Sequence, residues 1–165
     1  MQSSERDRGA SAELVEEPTE EGPALRDVAT AIERAAADEA AASAARDAFL
    51  VSPVPILEPD ERVMPHLFQD EKVHGLRRHA ILRAPGDDRA LGYGGSLYLT
   101  SRRLMHLGQV FVTVQLTDIV ETSLAGERLL LTLRDGEGLT FDLDRPRLLR
   151  AEMAAVARDL PRPGL

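Results

Sequence analysis

Between Gly94 and Gly108 two apolar runs are joined by a polar step, and this arrangement constrains the fold more than any other stretch of the chain. Leu97 and Leu99 alternate with Ser96, Tyr98 and Thr100. Thr100 to Arg103 supplies a turn, and Leu104 to Leu107 begins a second run that Gly108 ends. Period-two alternation on both sides of a short polar turn predicts a β-hairpin with one face buried. The pattern continues downstream. Val110, Val112, Val114 and Leu116 alternate with Gln109, Phe111, Thr113 and Gln115. Asp118 to Leu124 reads as a further strand, with a turn at Ala125-Gly126-Glu127. Leu129, Leu131 and Leu133 then alternate with Leu130, Thr132 and Arg134, Asp135-Gly136 turns the chain, and Leu139, Phe141 and Leu143 complete a last strand.

Upstream, Gly75 to Arg83 is the clearest strand, with Leu76, Ala80 and Leu82 expected on one side and Arg77, His79, Ile81 and Arg83 on the other. Ala84 to Ala90 is a loop by its Pro85-Gly86 and paired aspartates. The expected total is about seven short antiparallel strands, a mainly β fold of the sandwich or partly open barrel kind. The period then switches. Leu149, Met153, Val156 and Leu160 recur at helical spacing behind Asp144, a candidate cap, and Pro146 in the first turn, and Pro161 stops the helix. An amphipathic C-terminal helix can close the open end of a curved sheet, burying four large side chains worth roughly 1.5–3 kcal/mol each.

The Gly95-Ser96-Leu97-Tyr98-Leu99-Thr100 strand, its Arg102-Arg103-Leu104 turn and the apolar run after it resemble the signature of small bacterial pleckstrin-homology-like domains related to GRAM domains. Leu57-Glu58-Pro59-Asp60-Glu61-Arg62-Val63 is similar to the lead-in of that family, and the resemblance covers residues 57 to 160. It implies a binding module without enzymatic activity and without a cofactor. In lipid-binding relatives, basic residues on the first two strands and their loop hold a phosphorylated headgroup, which makes Arg77, Arg83, Arg89 and Arg102 the candidate ligand-binding residues here.

Ahead of the β pattern the chain changes character. Residues 1–23 are expected to be a disordered acidic tail, rich in Ser, Glu, Gly and Pro. Residues 24–50 form an alanine-rich helix whose thin apolar stripe runs through Leu25, Val28, Ile32, Ala35, Ala42 and Phe49. Residues 51–59, with Pro53, Pro55 and Pro59, are an extended linker. The resemblance implies a pleckstrin-homology-like domain over 60–160, with 161–165 as a tail.

Of the net charge of −8, residues 1–50 carry −7 and residues 51–165 only −1. A nucleic-acid partner is therefore not expected, because attraction to many phosphates requires a positive field. The alanine-rich helix, at −2, has the wrong sign for an anionic bilayer. There is no cysteine for a disulfide or thiolate metal site. His74 and His79 are five residues apart, on opposite faces of a strand, which argues against a metal pair, and His106 is expected on the sheet surface. Gly92-Tyr93-Gly94-Gly95 leads into a strand rather than a helix, so it cannot cradle phosphate as a nucleotide loop does. With no nucleophile paired to a base, neither catalytic nor metal residues are assigned.

Residues 71 to 103 hold a local balance of +4, although Asp87 and Asp88 sit between Arg83 and Arg89. The expected partner is a protein or peptide added at a sheet edge, or a second copy of the chain, with an anionic membrane surface as the alternative. A segment suited to secretion or to spanning a membrane is not evident. A cytoplasmic location is expected, at most peripheral at the inner membrane face.

Overall fold

The structure, a computed structural model, describes residues 17–84 and 89–161, with the side chains of residues 17–24, 92 and 93 left out. The chain divides into two units, residues 1–36 and 37–165. Helix α1 (Glu17–Ala48) begins ahead of residue 24, where the sequence predicts its start; the rest of the expected tail, residues 1–16, lies outside the described residues. In the first unit, the Leu25, Val28 and Ile32 side chains of α1 are exposed. In the second, Asp38 and Ala42 are buried. The apolar stripe read from the sequence thus has two different fates.

The second unit is built on one antiparallel sheet of seven strands: β1 (Val73–Arg83), β2 (Ala90–Thr100), β3 (Arg103–Leu107), β4 (Phe111–Gln115), β5 (Ile119–Ala125), β6 (Arg128–Leu133) and β7 (Gly138–Asp142). Their order across the sheet is β4-β3-β2-β1-β7-β6-β5, and Leu57 adds a single bridge to Val73. Helix α2 (Pro146–Arg158) follows β7. The fold class is as the periodicity predicts, a mainly β domain closed by one C-terminal helix.

The β2–β3 hairpin has the expected register: Leu97 faces His106, Tyr98 faces Met105 and Leu99 faces Leu104. The tight turns after β5 and β6 place Gly126 at φ 63 and Gly136 at φ 91, a region that favours glycine. Leu97, Leu99 and Leu104 point into the main core with Leu82, Leu129, Leu131 and Phe141, and Leu149, Met153 and Val156 of α2 complete it. Tyr98, Met105 and Leu107 point to the opposite face. There they meet Val63 and Leu67 from a strap, residues 53–72, that includes the short 3-10 turn Met64–His66.

Strand β1 departs from simple alternation. Arg77 pairs with Leu97 and Ala80 with Gly95, so three residues of β1 oppose two of β2. The extra residue is a β-bulge, and His79 there adopts φ 57. The inward set is therefore Gly75 and Arg77 before the bulge and Ala80 and Leu82 after it, while Leu76 packs on the strap side. A sequence phase that joins Leu76 to Ala80 and Leu82 misses this one-residue change.

His106 is also corrected. Its ring lies in the core rather than on the sheet surface, 1 % exposed, with Nε2 2.8 Å from the Ala80 carbonyl and Phe141 at 6.0 Å between centroids. Gly95, diagonal to it on β2, leaves the space that this ring fills, since a Cβ there would overlap it.

Candidate functional site

Each of the four arginines proposed from sequence has a definite place. Arg77 is buried beneath α2: its guanidinium contacts Glu152 Oε1 at 3.0 Å, and its Nε donates to the Asp144 carbonyl at 2.9 Å. Arg83 pairs with Asp142 of β7 at 2.6 Å, and Arg128 reaches the other oxygen of the same carboxylate. Arg89 follows the β1–β2 loop, of which residues 85–88 lie outside the described residues. Arg102, in the β2–β3 turn, contacts Asp70 at 2.6 Å and lies 5.3 Å from the centre of the Phe68 ring.

Arg83 pairs in register near Ala90, and Val73 near Thr100, so Arg102 sits at the far end of the β1–β2 ladder from Arg83 and Arg89. Eleven residues of strand separate the ends by about 30 Å. The four do not converge on one surface.

The strap is fastened to the outer face by buried polar contacts. Glu71 accepts hydrogen bonds from Arg103 Nε at 2.9 Å, from Thr100 Oγ1 and from the Phe68 amide. Burial alone would raise the Glu71 carboxyl; these bonds outweigh it and hold the group below its ordinary value. Asp60 accepts from the Tyr98 hydroxyl at 2.7 Å and from the amides of Arg62 and Val63. Its carboxyl too is held down against the opposing effect of burial, while burial and the neighbouring carboxylate push Tyr98 up to about 12. These groups join the strap to strands β2 and β3.

A different arrangement occurs where α2 passes β5. Strand β5 ends the sheet, and among the described residues only β6 pairs with it. Two adjoining hollows of about 180 and 390 Å³ run between this edge and the helix, sharing Leu116, Ile119, Val120 and Ala157 as lining. Met153 and Ala154 extend the apolar floor of the first. Arg150 Nε donates to Thr122 Oγ1 at 3.0 Å across the groove. Arg134, lining the second hollow, donates to the Thr117 carbonyl. A bulge falls at Val120, because Ile119 pairs with Leu133 and Glu121 with Thr132, and the Val120 side chain is 57 % exposed. Such a groove offers unpaired backbone along a strand, an apolar surface beside it, and at its margin the cations Arg150 and Arg134 with the carboxylate of Glu121.

No protein-family model and no curated protein matches the sequence. Among solved structures, the fold is similar to the Vps36 N-terminal PH domain, with a TM-score of 0.51 and 20 % identity over 63 % of this chain and 92 % of that one. The fold is pleckstrin-homology-like. A domain described as the C-terminal domain of an unknown protein from Leishmania infantum also matches, with a TM-score of 0.42 and 13 % identity over 52 % of this chain and 84 % of that one.

Within this pleckstrin-homology-like fold, sequence reading missed the groove residues Val120, Thr122 and Arg150. The one available signal was negative. Residues 118–124 lack the clean alternation of the neighbouring strands, as expected of a bulged edge. Among the described residues no group of three His, Asp or Glu side chains is placed to hold a metal ion, and no helix is long and apolar enough to cross a membrane.

Proposed function

We propose that this chain is a non-enzymatic recognition module of the GRAM-related kind that binds a protein partner by adding an extended segment of it to the outer edge of β5, against α2. The observation that carries this reading is the groove itself: an edge strand with apolar and cationic side chains beside it. Backbone hydrogen bonds along β5 supply affinity in strand addition, and pockets for alternate side chains supply selectivity. Ile119, Val120 and Met153 form the apolar part of that surface, and Arg150 offers a guanidinium to an acidic or carbonyl group of the incoming segment.

Anionic lipid is the weaker reading because its four arginines are dispersed, with Arg77, Arg83 and Arg102 each engaged by a carboxylate. A second copy of the chain is the remaining occupant of an open edge.

The test is selection of peptides from a random library on the full chain, with affinities then measured by fluorescence polarisation. Val120→Asp and Arg150→Glu should each abolish binding, whereas the pair Arg83→Glu with Arg89→Glu should leave it intact. Failure to select any peptide, together with salt-sensitive pelleting on anionic vesicles that the Arg83 and Arg89 changes remove, would overturn the proposal in favour of lipid. Concentration-dependent dimerisation abolished by Val120→Asp would identify the partner as a second copy.

A further inference from the structure

Helix α2 begins without a cap of its own. Arg145 precedes it at φ 51 with no side-chain hydrogen bond to the first turn, and Asp144, the residue the sequence nominates for capping, instead contacts Arg145 Nε at 3.3 Å. Pro146 has no amide hydrogen, so the amides of Arg147 and Leu148 are the first that need acceptors. Both find one carboxylate from far away in sequence: Asp38 Oδ2 lies 2.8 Å from the Arg147 amide, and Oδ1 3.0 Å from that of Leu148. Asp38 is 3 % exposed, and its charge is met by the positive end of the α2 dipole and by the Arg147 guanidinium at 3.7 Å. At the other end of α2, Arg158 donates to the Phe49 carbonyl at 3.1 Å. The segment from Asp38 to Phe49 therefore holds α2 at both ends.

The turn that Asp38 caps leads directly to Arg150, the residue bonded to Thr122 across the groove, and then to Met153 and Ala154 on its floor. We propose that Asp38 is a positioning residue for the binding groove: by capping α2 it sets where that helix stands relative to β5. The inference rests on the β5–α2 groove being the binding site, and gives the alanine-rich helix a part in that site's control. A partner that draws residues 38–48 off α2 would loosen the groove wall, and one that clamps them would tighten it.

Amide hydrogen exchange and chemical-shift mapping on the full chain test this without any ligand. In Asp38→Ala, the Arg147 and Leu148 amides should exchange about tenfold faster, and the signals of Arg150, Thr122 and Met153 should shift. Asp38→Asn keeps one acceptor oxygen and should give intermediate changes at the same positions; it carries the test alone if Asp38→Ala does not fold. Changes confined to Arg147 and Leu148, or none at all, would overturn the proposal. The groove reading fails on a separate result, unaltered peptide binding in Val120→Asp with Asp38 intact.

Discussion

Among the described residues both β4 and β5 end the sheet, each paired on one side only, but the surfaces beside these two ends are finished in opposite ways. On the β1–β4 flank, the strap covers the outer face, and its carboxylates Asp60 and Glu71 are engaged by Tyr98, Thr100 and Arg103. At the β5 flank the edge is open, the groove is crossed by the Arg150–Thr122 bond, and Val120 and Glu121 are exposed. A buried ion pair is costly to break and tolerates few geometries, so it fixes how the strap lies on the sheet. An open edge with an apolar floor can accept another chain at little conformational cost. Rigidity on one side and an uncovered edge on the other is the arrangement that the proposed strand addition requires.

The sharpest test of the sealed flank is Glu71→Ala. It leaves the Arg103 guanidinium buried with the His66 carbonyl and the Phe68 ring but no counter-charge. Loss of one partner of a buried pair costs about 3–5 kcal/mol. Guanidinium unfolding of the variant should show that loss. A change below about 1 kcal/mol, the range of exposed ion pairs, would mean that the strap is held by Val63, Leu67 and the Asp60–Tyr98 bond rather than by this pair.

Gly95→Ala comes next. The new methyl meets the His106 ring, which is itself enclosed by the Ala80 carbonyl and Phe141, so relief requires moving the ring or spreading β2 from β3. Overpacking of this kind costs about 1–3 kcal/mol. The double variant Gly95→Ala with His106→Ala should recover part of the loss that each change causes alone; strictly additive losses in thermal unfolding would show that the contact does not govern the hairpin.

Tyr98→Phe removes one hydrogen bond to a carboxylate, worth about 1.5–3 kcal/mol at most and less if water replaces it. Its pH signature is more telling than its size. Asp60 and Glu71 are held below their ordinary values of 3.8 and 4.5, so their contribution is fully present above those values and is lost as the pH falls through them toward the lowered ones. Tyr98 is raised from 10.0 to about 12, so its contribution is full below pH 10 and is lost as the pH rises between 10 and 12. Stability measured against pH should therefore fall at both extremes in the parent chain. In Tyr98→Phe the alkaline fall attributable to this group should vanish and the acid fall should shrink, leaving the share due to Glu71 and to the bonds that Asp60 keeps with the Arg62 and Val63 amides.

The sealed flank was only half legible from sequence. The Leu97, Leu99 and Leu104 pattern gave the β2–β3 hairpin and its register because period-two alternation is a local property. The strap was not legible: Val51 to Pro59 read as a linker by its prolines, and nothing local shows that Glu71 will meet Arg103, 32 residues away. Arg77 looked like a surface cation for the same reason, since its partner Glu152 is on α2 and the bulge at Arg78-His79 turns it inward. Capping failed alike, as Asp144 is adjacent in sequence but Asp38 makes the bonds. Alternation and helical period carried the fold. The polar contacts that fix its details, and the groove that those details shape, depend on residues brought together only by topology.

The smallest effect is expected where the open flank is altered, and it completes the contrast. Val120 lies on the bulge of β5 with most of its side chain in water, so Val120→Ser removes little buried apolar area and breaks no hydrogen bond of the ladder's other face. Unfolding free energy should change by less than about 0.5 kcal/mol. The same substitution takes an apolar contact from the groove, so peptide affinity should fall by about tenfold while the unfolding curve stays in place. A destabilisation as large as that of Gly95→Ala would mean that the β5 edge is structural and the groove already closed. Separation of the two readouts, stability held and binding lost, is what distinguishes a surface kept for a partner from one that merely ends the sheet.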